Sequence, residues 1–227
     1  MAAFQNAADL GYRYIETDVH VTSDGVLVAF HDATLDRVTE YSGRINEMTW
    51  VEVAKARVRG LDGTLAPIAR FEELMTAFPE MSVTIDPKQD SSVEPLAAAL
   101  SDLDCLDRVC IGSFSDKRLR WFRERFGADV CLGLGTASIL KLRLASWKFP
   151  FGSLPGEVAQ VPTSTRGVRI VDERFLATAK ERGLAVHVWT IDDAAEMGRL
   201  LDLGVGAIMT DRPETLRSVF VERGLWY

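Results

Sequence analysis

The chain has 227 residues, a formal net charge of −7 and a hydrophobic content of 47%. The acidic balance argues against a nucleic-acid binder, because contacts of Lys and Arg with phosphates supply most of that affinity. No run of about 18 apolar residues predicts a membrane-spanning helix. The length suits one domain over residues 1–227, and the apolar content is enough for a sizeable core.

An alanine-rich helix is predicted over residues 1–10, ended at Gly11, and the chain then passes directly into a strand. Side chains of alternating character indicate that strand. The apolar face is Ile15, Thr17, Val19 and Val21, and the polar face is Glu16, Asp18 and His20. A turn at residues 23–25 leads into a second apolar run, 26–30, which we expect to form a side hairpin and which ends on His31 and Asp32.

From residue 40 to 68 the pattern loosens, with a short helical piece expected at 49–58. Strands and helices alternate beyond it. Helices are predicted at 69–78, 93–103, 116–126, 173–182, 192–203 and 213–223, and strands at 81–85, 108–114, 129–134, 158–162, 185–190 and 207–210. This alternation implies a parallel sheet, most economically an α/β fold of the TIM (β/α)8 barrel type.

Two carboxylates and a histidine at strand ends suit metal-assisted hydrolysis. Glu16 and Asp18 lie about 7 Å apart along one strand face, close enough to share a cation; the alternative is a polar patch on a half-exposed strand. His20 lies roughly 13 Å from Glu16, so we expect it to support the site rather than bind the same ion. His31 is the best acid/base candidate, because imidazole exchanges protons near neutral pH; the alternative is a loop histidine at a strand end.

These residues belong to one stretch, 14–39, with the sequence YIETDVHVTSDGVLVAFHDATLDRVT. The stretch resembles the glycerophosphodiester phosphodiesterase family, in which an acid-x-acid pair binds a divalent cation and a His-Asp pair follows a T-x-D-G turn. Here the acid pair is Glu16 and Asp18, and the His-Asp pair is His31 and Asp32. The resemblance extends more weakly to VHVWTID and GVGAIMTDRPE, so it spans almost the whole chain.

The resemblance implies a TIM-barrel phosphodiesterase that uses Ca²⁺ or Mg²⁺ to hydrolyse glycerophosphodiesters to sn-glycerol 3-phosphate and an alcohol. The implied metal ligands are Glu16, Asp18 and Asp86, and His31 is the implied catalyst. Asp86 and Lys88 stand where the family has Glu-x-Lys. The shorter Asp86 would bind the metal directly or through water, and Lys88 would contact phosphate. Trp189 would form an aromatic wall beside the glycerol or the leaving group.

The predicted elements supply seven barrel strands, one fewer than the fold requires. In the family, a strand with a His-Arg-Gly motif precedes a helix similar to the one at residues 1–10. We therefore expect the first strand to be missing here. We expect that Met1 is not the natural start; the alternatives are a truncated chain and a strand supplied by a partner. The family's first catalytic histidine belongs to that motif. His187, the remaining histidine, is expected to lie in the barrel interior.

Other functions stay open. A lysophospholipase D-like activity is favoured if residues 140–151 (LKLRLASWKFPF), which are cationic and aromatic, make peripheral contact with a membrane; an ordinary amphipathic helix and loop is the alternative. A non-enzymatic barrel that binds a phosphate ligand is the contrasting class, since the first catalytic histidine is not seen. A sugar-phosphate enzyme is disfavoured, because no Gly-rich phosphate loop lies near the last strands. We expect a small-molecule substrate, no nucleic-acid partner and a cytoplasmic location.

Overall fold

The computed structural model describes residues 1–60 and 63–226 and divides into two compact units. The first unit comprises Met1–Ile111 and Trp121–Val130, and the second comprises Gly112–Arg120 and the chain from Cys131 onward. Leu61 and Asp62, which belong to the loosely patterned stretch 40–68, lie outside the described residues. None of the described helices is long and apolar enough to cross a membrane.

The first unit contains the stretch with Glu16, Asp18, His20 and His31 and the elements that surround it. Its helices and strands are α1 (Ala2–Asp9), β1 (Tyr14–Val21), β2 (Leu27–Ala29), α2 (Trp50–Val53), β3 (Arg57–Arg59), β4 (Leu65–Pro67), β5 (Ala69–Arg70), α3 (Phe71–Ala77), β6 (Ser82–Pro87), α4 (Val93–Asp102) and β7 (Val109–Ile111). Helix α5 (Asp116–Phe126) has residues in both units.

The sheet of the first unit has β1 at its centre, with the order β5-β2-β1-β6-β7. Strands β1, β6 and β7 run parallel, whereas β2 is antiparallel to both β1 and β5. Residues 26–30 therefore form the expected side hairpin rather than a strand of the parallel series. Gly25 closes the hairpin turn with a φ of 87°, a backbone conformation that glycine adopts without steric cost.

A separate apolar cluster holds the segment that follows the hairpin. Its buried members are Val28, Phe30, Leu35, Ile45, Val53, Ala56 and Ile68. Because these residues come from both the hairpin and the 33–68 stretch, this otherwise irregular segment is packed against β2. The packing fixes the chain on both sides of His31.

The second unit contains β8 (Cys131–Leu132), α6 (Thr136–Ser146), β9 (Val158–Val161), β10 (Ser164–Thr165), β11 (Val168–Arg169), α7 (Glu173–Glu181), β12 (Ala185–Val188), α8 (Ala194–Leu203), β13 (Ala207–Ile208) and α9 (Pro213–Glu222). Strands β9, β12 and β13 form a parallel sheet in the order β13-β12-β9. Strand β8 continues into a parallel bridge between Gly133 and Val158. Strands β10 and β11 form a two-stranded hairpin.

The structure corrects the sequence predictions for a helix and for a surface segment. The helix expected at 49–58 ends at Val53, because Arg57–Arg59 pairs with Leu65–Pro67 as an antiparallel ribbon. In the segment 140–151, Arg143 was expected on a cationic surface, but its side chain is only 7% exposed and pairs with Asp172. The exposed part of that segment therefore carries fewer cations than the sequence indicates.

Candidate active site

The parallel pairing of β1 and β6 brings two of the predicted metal ligands together. Asp18 lies directly opposite Asp86 in the register. Since side chains at paired positions of parallel neighbours project from the same face, both carboxylates occupy one side of the sheet. Glu16 lies two residues before Asp18, on that same face. The alternation read from the sequence is therefore the arrangement found in the structure.

Lys88 lies between the two aspartates. Its Nζ is 2.6 Å from Oδ1 of Asp18 and 3.0 Å from Oδ2 of Asp86. Burial lowers the pKa of Lys88, but the hydrogen bond with Asp18 and the charge of Asp86 outweigh it, so the pKa lies above its ordinary value. The Lys88 backbone N–H donates to the Val19 carbonyl, which ties the end of β6 to β1.

Glu16 is the third acid of this group, and its pKa is strongly raised. Although the residue is exposed, the protein atoms around its carboxyl reduce hydration of the charged form and raise the pKa of Glu16 to about 8. The neighbouring charge of Asp18 adds to the effect, while Lys88 opposes it. Glu16 also shares a side-chain hydrogen bond with Asp18. The single ammonium of Lys88 is shared by three acids, which makes ionisation of all three unfavourable. Glu16 therefore keeps its proton at neutral pH.

The donor chemistry of this group fits a hard divalent cation. Glu16, Asp18 and Asp86 offer only oxygen atoms, which Ca²⁺ and Mg²⁺ prefer, and three acids near one lysine leave the group short of positive charge. Within residues 1–60 and 63–226, no three acidic, histidine or cysteine side chains already have the arrangement of a metal site.

His31 is held at the end of the hairpin by a carboxylate and a guanidinium. Its Nδ1 lies 2.6 Å from Oδ1 of Asp32, and Asp32 accepts hydrogen bonds from Nε and Nη2 of Arg37. The Arg37 hydrogen bond, opposed by burial and assisted by His31, holds the pKa of Asp32 at about 2. With Nδ1 donating to Asp32, Nε2 is the nitrogen free to exchange a proton, on a side chain that is 67% exposed.

His20 links the two parts of the site. It is 3% exposed, and its Nε2 donates to the backbone carbonyl of His31 at 3.1 Å. Burial lowers the pKa of His20, which keeps the ring neutral. The Phe30 N–H donates to the Asp18 carbonyl at 3.0 Å, so the chain entering His31 is fixed to the strand that carries the acids. His20 therefore has the supporting position expected from its distance along β1.

The T-x-D-G turn fixes the opposite end of the hairpin. The Thr22 hydroxyl donates to Oδ1 of Asp24 at 2.6 Å and accepts from the Val26 N–H at 2.9 Å. Oδ1 of Asp24 also accepts from the Trp50 N–H at 2.9 Å. These polar residues therefore shape the loop rather than contribute reacting groups.

Trp189 and His187 belong to the second unit. The Trp189 ring contacts the ring of Phe114 edge to face, with centroids 5.8 Å apart, and Phe114 is 63% exposed. Burial lowers the pKa of His187, consistent with the interior position expected for it. Phe114 and Arg37 were not assigned roles from the sequence. Phe114 could have been identified as a site residue from the sequence, because it is an aromatic residue between a strand and the following helix, where the active-site loops of a barrel lie.

Comparison with known proteins supports one family. The family model described as "Glycerophosphoryl diester phosphodiesterase family" matches residues 1–215. "Probable glycerophosphodiester phosphodiesterase 2" of Mycobacterium tuberculosis is 37% identical over 234 residues, which cover 100% of this chain and 86% of the relative. A lysophospholipase D of Mus musculus is 26% identical, and the match covers 96% of this chain and 80% of the relative.

Solved structures of this group have the same fold. An Oleispira antarctica phosphodiesterase, in complex with the product sn-glycerol-3-phosphate, matches with a TM-score of 0.80 at 20% identity, covering 97% of this chain and 90% of that chain. At this level of identity the likeness shows the fold, and it confirms the predicted TIM (β/α)8 barrel class.

Proposed function

Because this chain belongs to the glycerophosphoryl diester phosphodiesterase family, whose members are phosphoric diester hydrolases, we propose that it hydrolyses glycerophosphodiesters to sn-glycerol 3-phosphate and an alcohol. The names of the Mycobacterium relative and of the Oleispira complex agree with this reaction. Within this chain, the observation that carries the proposal is the group of three carboxylates near Lys88. Two of them lie on β1, the strand to which the His31 backbone is tied.

Glu16, Asp18 and Asp86 would hold the divalent cation, Ca²⁺ or Mg²⁺, that the acidic group calls for. When bound, such a cation supplies positive charge that offsets the phosphodiester and the oxygen on which charge develops. Glu16 would then lose the proton that it retains in the group described above. Lys88, released from part of its pairing with the aspartates, would donate to a phosphate oxygen.

His31 would exchange a proton with the substrate or with water through Nε2. Asp32 holds the Nδ1 side of the ring, so the imidazole keeps one tautomer and one orientation. Arg37 in turn keeps Asp32 ionised and in place. Trp189 is a proposed wall for the glycerol or the leaving group, supported by the family resemblance and by its contact with the exposed ring of Phe114.

Hydrolysis of glycerophosphocholine tests this function directly. The chain is assayed with Ca²⁺, with Mg²⁺ and with a chelator, beside His31→Ala and the matched histidine variant His187→Ala. We expect cation-dependent choline release that His31→Ala lowers at least about 100-fold and that His187→Ala leaves within twofold. Activity that survives His31→Ala would refute the role of that residue. Absence of activity with both cations would favour the phosphate-binding, non-enzymatic alternative.

A lysophospholipase D-like activity is the second candidate, because large side chains are exposed on one segment of the second unit. Leu140 is 58% exposed, Phe149 56% and Trp147 43%. An aromatic and apolar surface of this kind suits peripheral contact with a lipid interface. Release of choline from lysophosphatidylcholine, compared with glycerophosphocholine, separates the two substrates. Phe149→Ser should lower turnover of the lipid substrate alone; equal effects on both would contradict the membrane role.

A further inference from the structure

A cavity of about 600 Å³ within the second unit is rich in arginine. Its lining includes Arg143, Trp147, Arg169, Asp172, Arg174 and Arg199. The volume falls in the range of small-molecule sites. None of the residues assigned to hydrolysis lines it, although the chain as a whole carries a net charge of −7. A concentration of guanidinium groups in an acidic protein calls for a physical reason.

Two of the four arginines are fixed by carboxylates. Nη1 and Nη2 of Arg143 donate to the two carboxylate oxygens of Asp172 at 2.9 and 2.6 Å, and its Cζ lies 4.6 Å from the Trp147 ring centroid. Arg199 donates to both carboxylate oxygens of Glu196 at 2.7 Å. Both guanidinium groups therefore form part of the cavity wall.

The other two arginines have donors to spare. Within the described residues, Arg169 and Arg174 make no hydrogen bond through their guanidinium groups; the charge of Arg169 interacts with Glu196, and that of Arg174 with Asp172. Arg169 ends β11, whose turn is set by positive φ angles at Arg166 and Gly167. Arg174 lies in the first turn of α7. Their backbones are thus anchored while their side chains remain exposed.

We infer that this cavity binds the phosphoryl group of a phosphate monoester or of a lipid headgroup through Arg169 and Arg174. The terminal oxygens of a phosphoryl group can accept from two guanidinium forks that approach from different directions, and the arginine fork matches phosphate geometry in a bidentate pair. With Asp172, Glu173 and Glu196 counted, the four arginines still exceed the nearby carboxylates by one. Trp147, 43% exposed, offers a surface to the organic part of the ligand.

Binding of inorganic phosphate and of vesicles distinguishes the two sources of this group. The full chain is titrated with inorganic phosphate by calorimetry in the presence of chelator. In parallel, it is sedimented with phosphatidylcholine vesicles containing phosphatidic acid. Both probes are applied to Arg169→Gln and Arg174→Gln. The control is Lys180→Gln, which removes the same charge from the exposed face of α7 outside the cavity.

We expect at least one probe to bind, with affinity reduced at least fivefold by either arginine variant and less than twofold by Lys180→Gln. Phosphate binding alone identifies a soluble monoester, and vesicle binding identifies a lipid headgroup. The inference is overturned if neither probe binds or if Lys180→Gln weakens binding equally. It is also overturned if Lys88→Met abolishes binding that the arginine variants leave intact. His31→Ala, which tests hydrolysis, should leave phosphate affinity unchanged, so the two proposals fail separately.

Discussion

Replacing Arg37 with Met tests whether a residue that does not reach the substrate supports the catalytic histidine. The interactions of Asp32 lower its pKa from 3.8 to about 2, which sets an upper limit of about 2 kcal/mol on their combined effect. Since the Arg37 side chain is 64% exposed, solvent screening reduces its own part to about 1 kcal/mol. If that free energy is felt by His31 in the transition state, kcat falls about fivefold.

The assay is steady-state hydrolysis of glycerophosphocholine by the wild type, Arg37→Met and Arg44→Met. Arg44 is an exposed arginine of the same segment, so its variant reports the loss of one surface charge. We expect a lower kcat with an unchanged KM for Arg37→Met alone, because Arg37 orients Asp32 rather than binding substrate. Asp32→Asn should cost more, about 100-fold, because it removes the charge beside His31.

Acid unfolding gives an independent measure of the same contact. A carboxylate with a lowered folded pKa contributes stability that is present above its unfolded pKa, near 4, and is lost as the pH falls toward about 2. Arg37→Met should therefore flatten the stability profile in that window. The reasoning is refuted if Arg37→Met matches Arg44→Met in kcat, or if its loss equals that of His31→Ala, which would indicate direct substrate contact.

Three further predictions concern other parts of the chain. With chelator present, the free energy of unfolding of the wild type should fall as the pH rises from about 4.5 to about 8, because folded Glu16 binds a proton that the unfolded chain has lost. Glu16→Gln should remove this pH dependence and lower cation-dependent hydrolysis on the order of 100-fold. Glu40→Gln is the control in both assays. Asp172→Ala should lower the free energy of unfolding in urea by about 3 kcal/mol, because it removes a helix N-cap and leaves buried Arg143 without its partner; a loss under 1 kcal/mol would contradict this. Gly25→Ala should cost about 1 kcal/mol in the same assay, because its φ is 87°, and no loss would show that the turn relaxes.

The acid-bearing strand could be predicted because its two faces differ in chemistry. Alternation in β1 fixed which side chains share a face, and the Ser-Asp-Gly turn marked the hairpin. Strand ends were less well predicted: the run expected at 108–114 is a strand only at Val109–Ile111. Phe114 continues the apolar pattern but is exposed, and apolar character alone does not say where backbone pairing stops.

Contacts between distant residues account for what the sequence could not give. The helix expected at 49–58 is shortened because Arg57–Arg59 finds a strand partner beyond the next turn. The contact of Lys88 with phosphate stays a prediction, whereas its position between Asp18 and Asp86 depends on the register of two strands, which the sequence does not specify. The sequence predicts Arg143 to be a surface cation, whereas in the structure it pairs with Asp172, which is 29 residues away in the chain.

The pairing of Asp18 with Asp86 makes the spacing of the chain ahead of β6 a functional quantity. One extra residue before Ser82 that shifted the strand by a single step would send the carboxylate of Asp86 into the apolar layer and turn Ile85 toward the acids. Two extra residues would restore the facing but carry the carboxylate about 7 Å along the strand. Insertions in the loop before β6 are therefore tolerated only if the added residues bulge outward and the hydrogen-bonding register between β1 and β6 is unchanged.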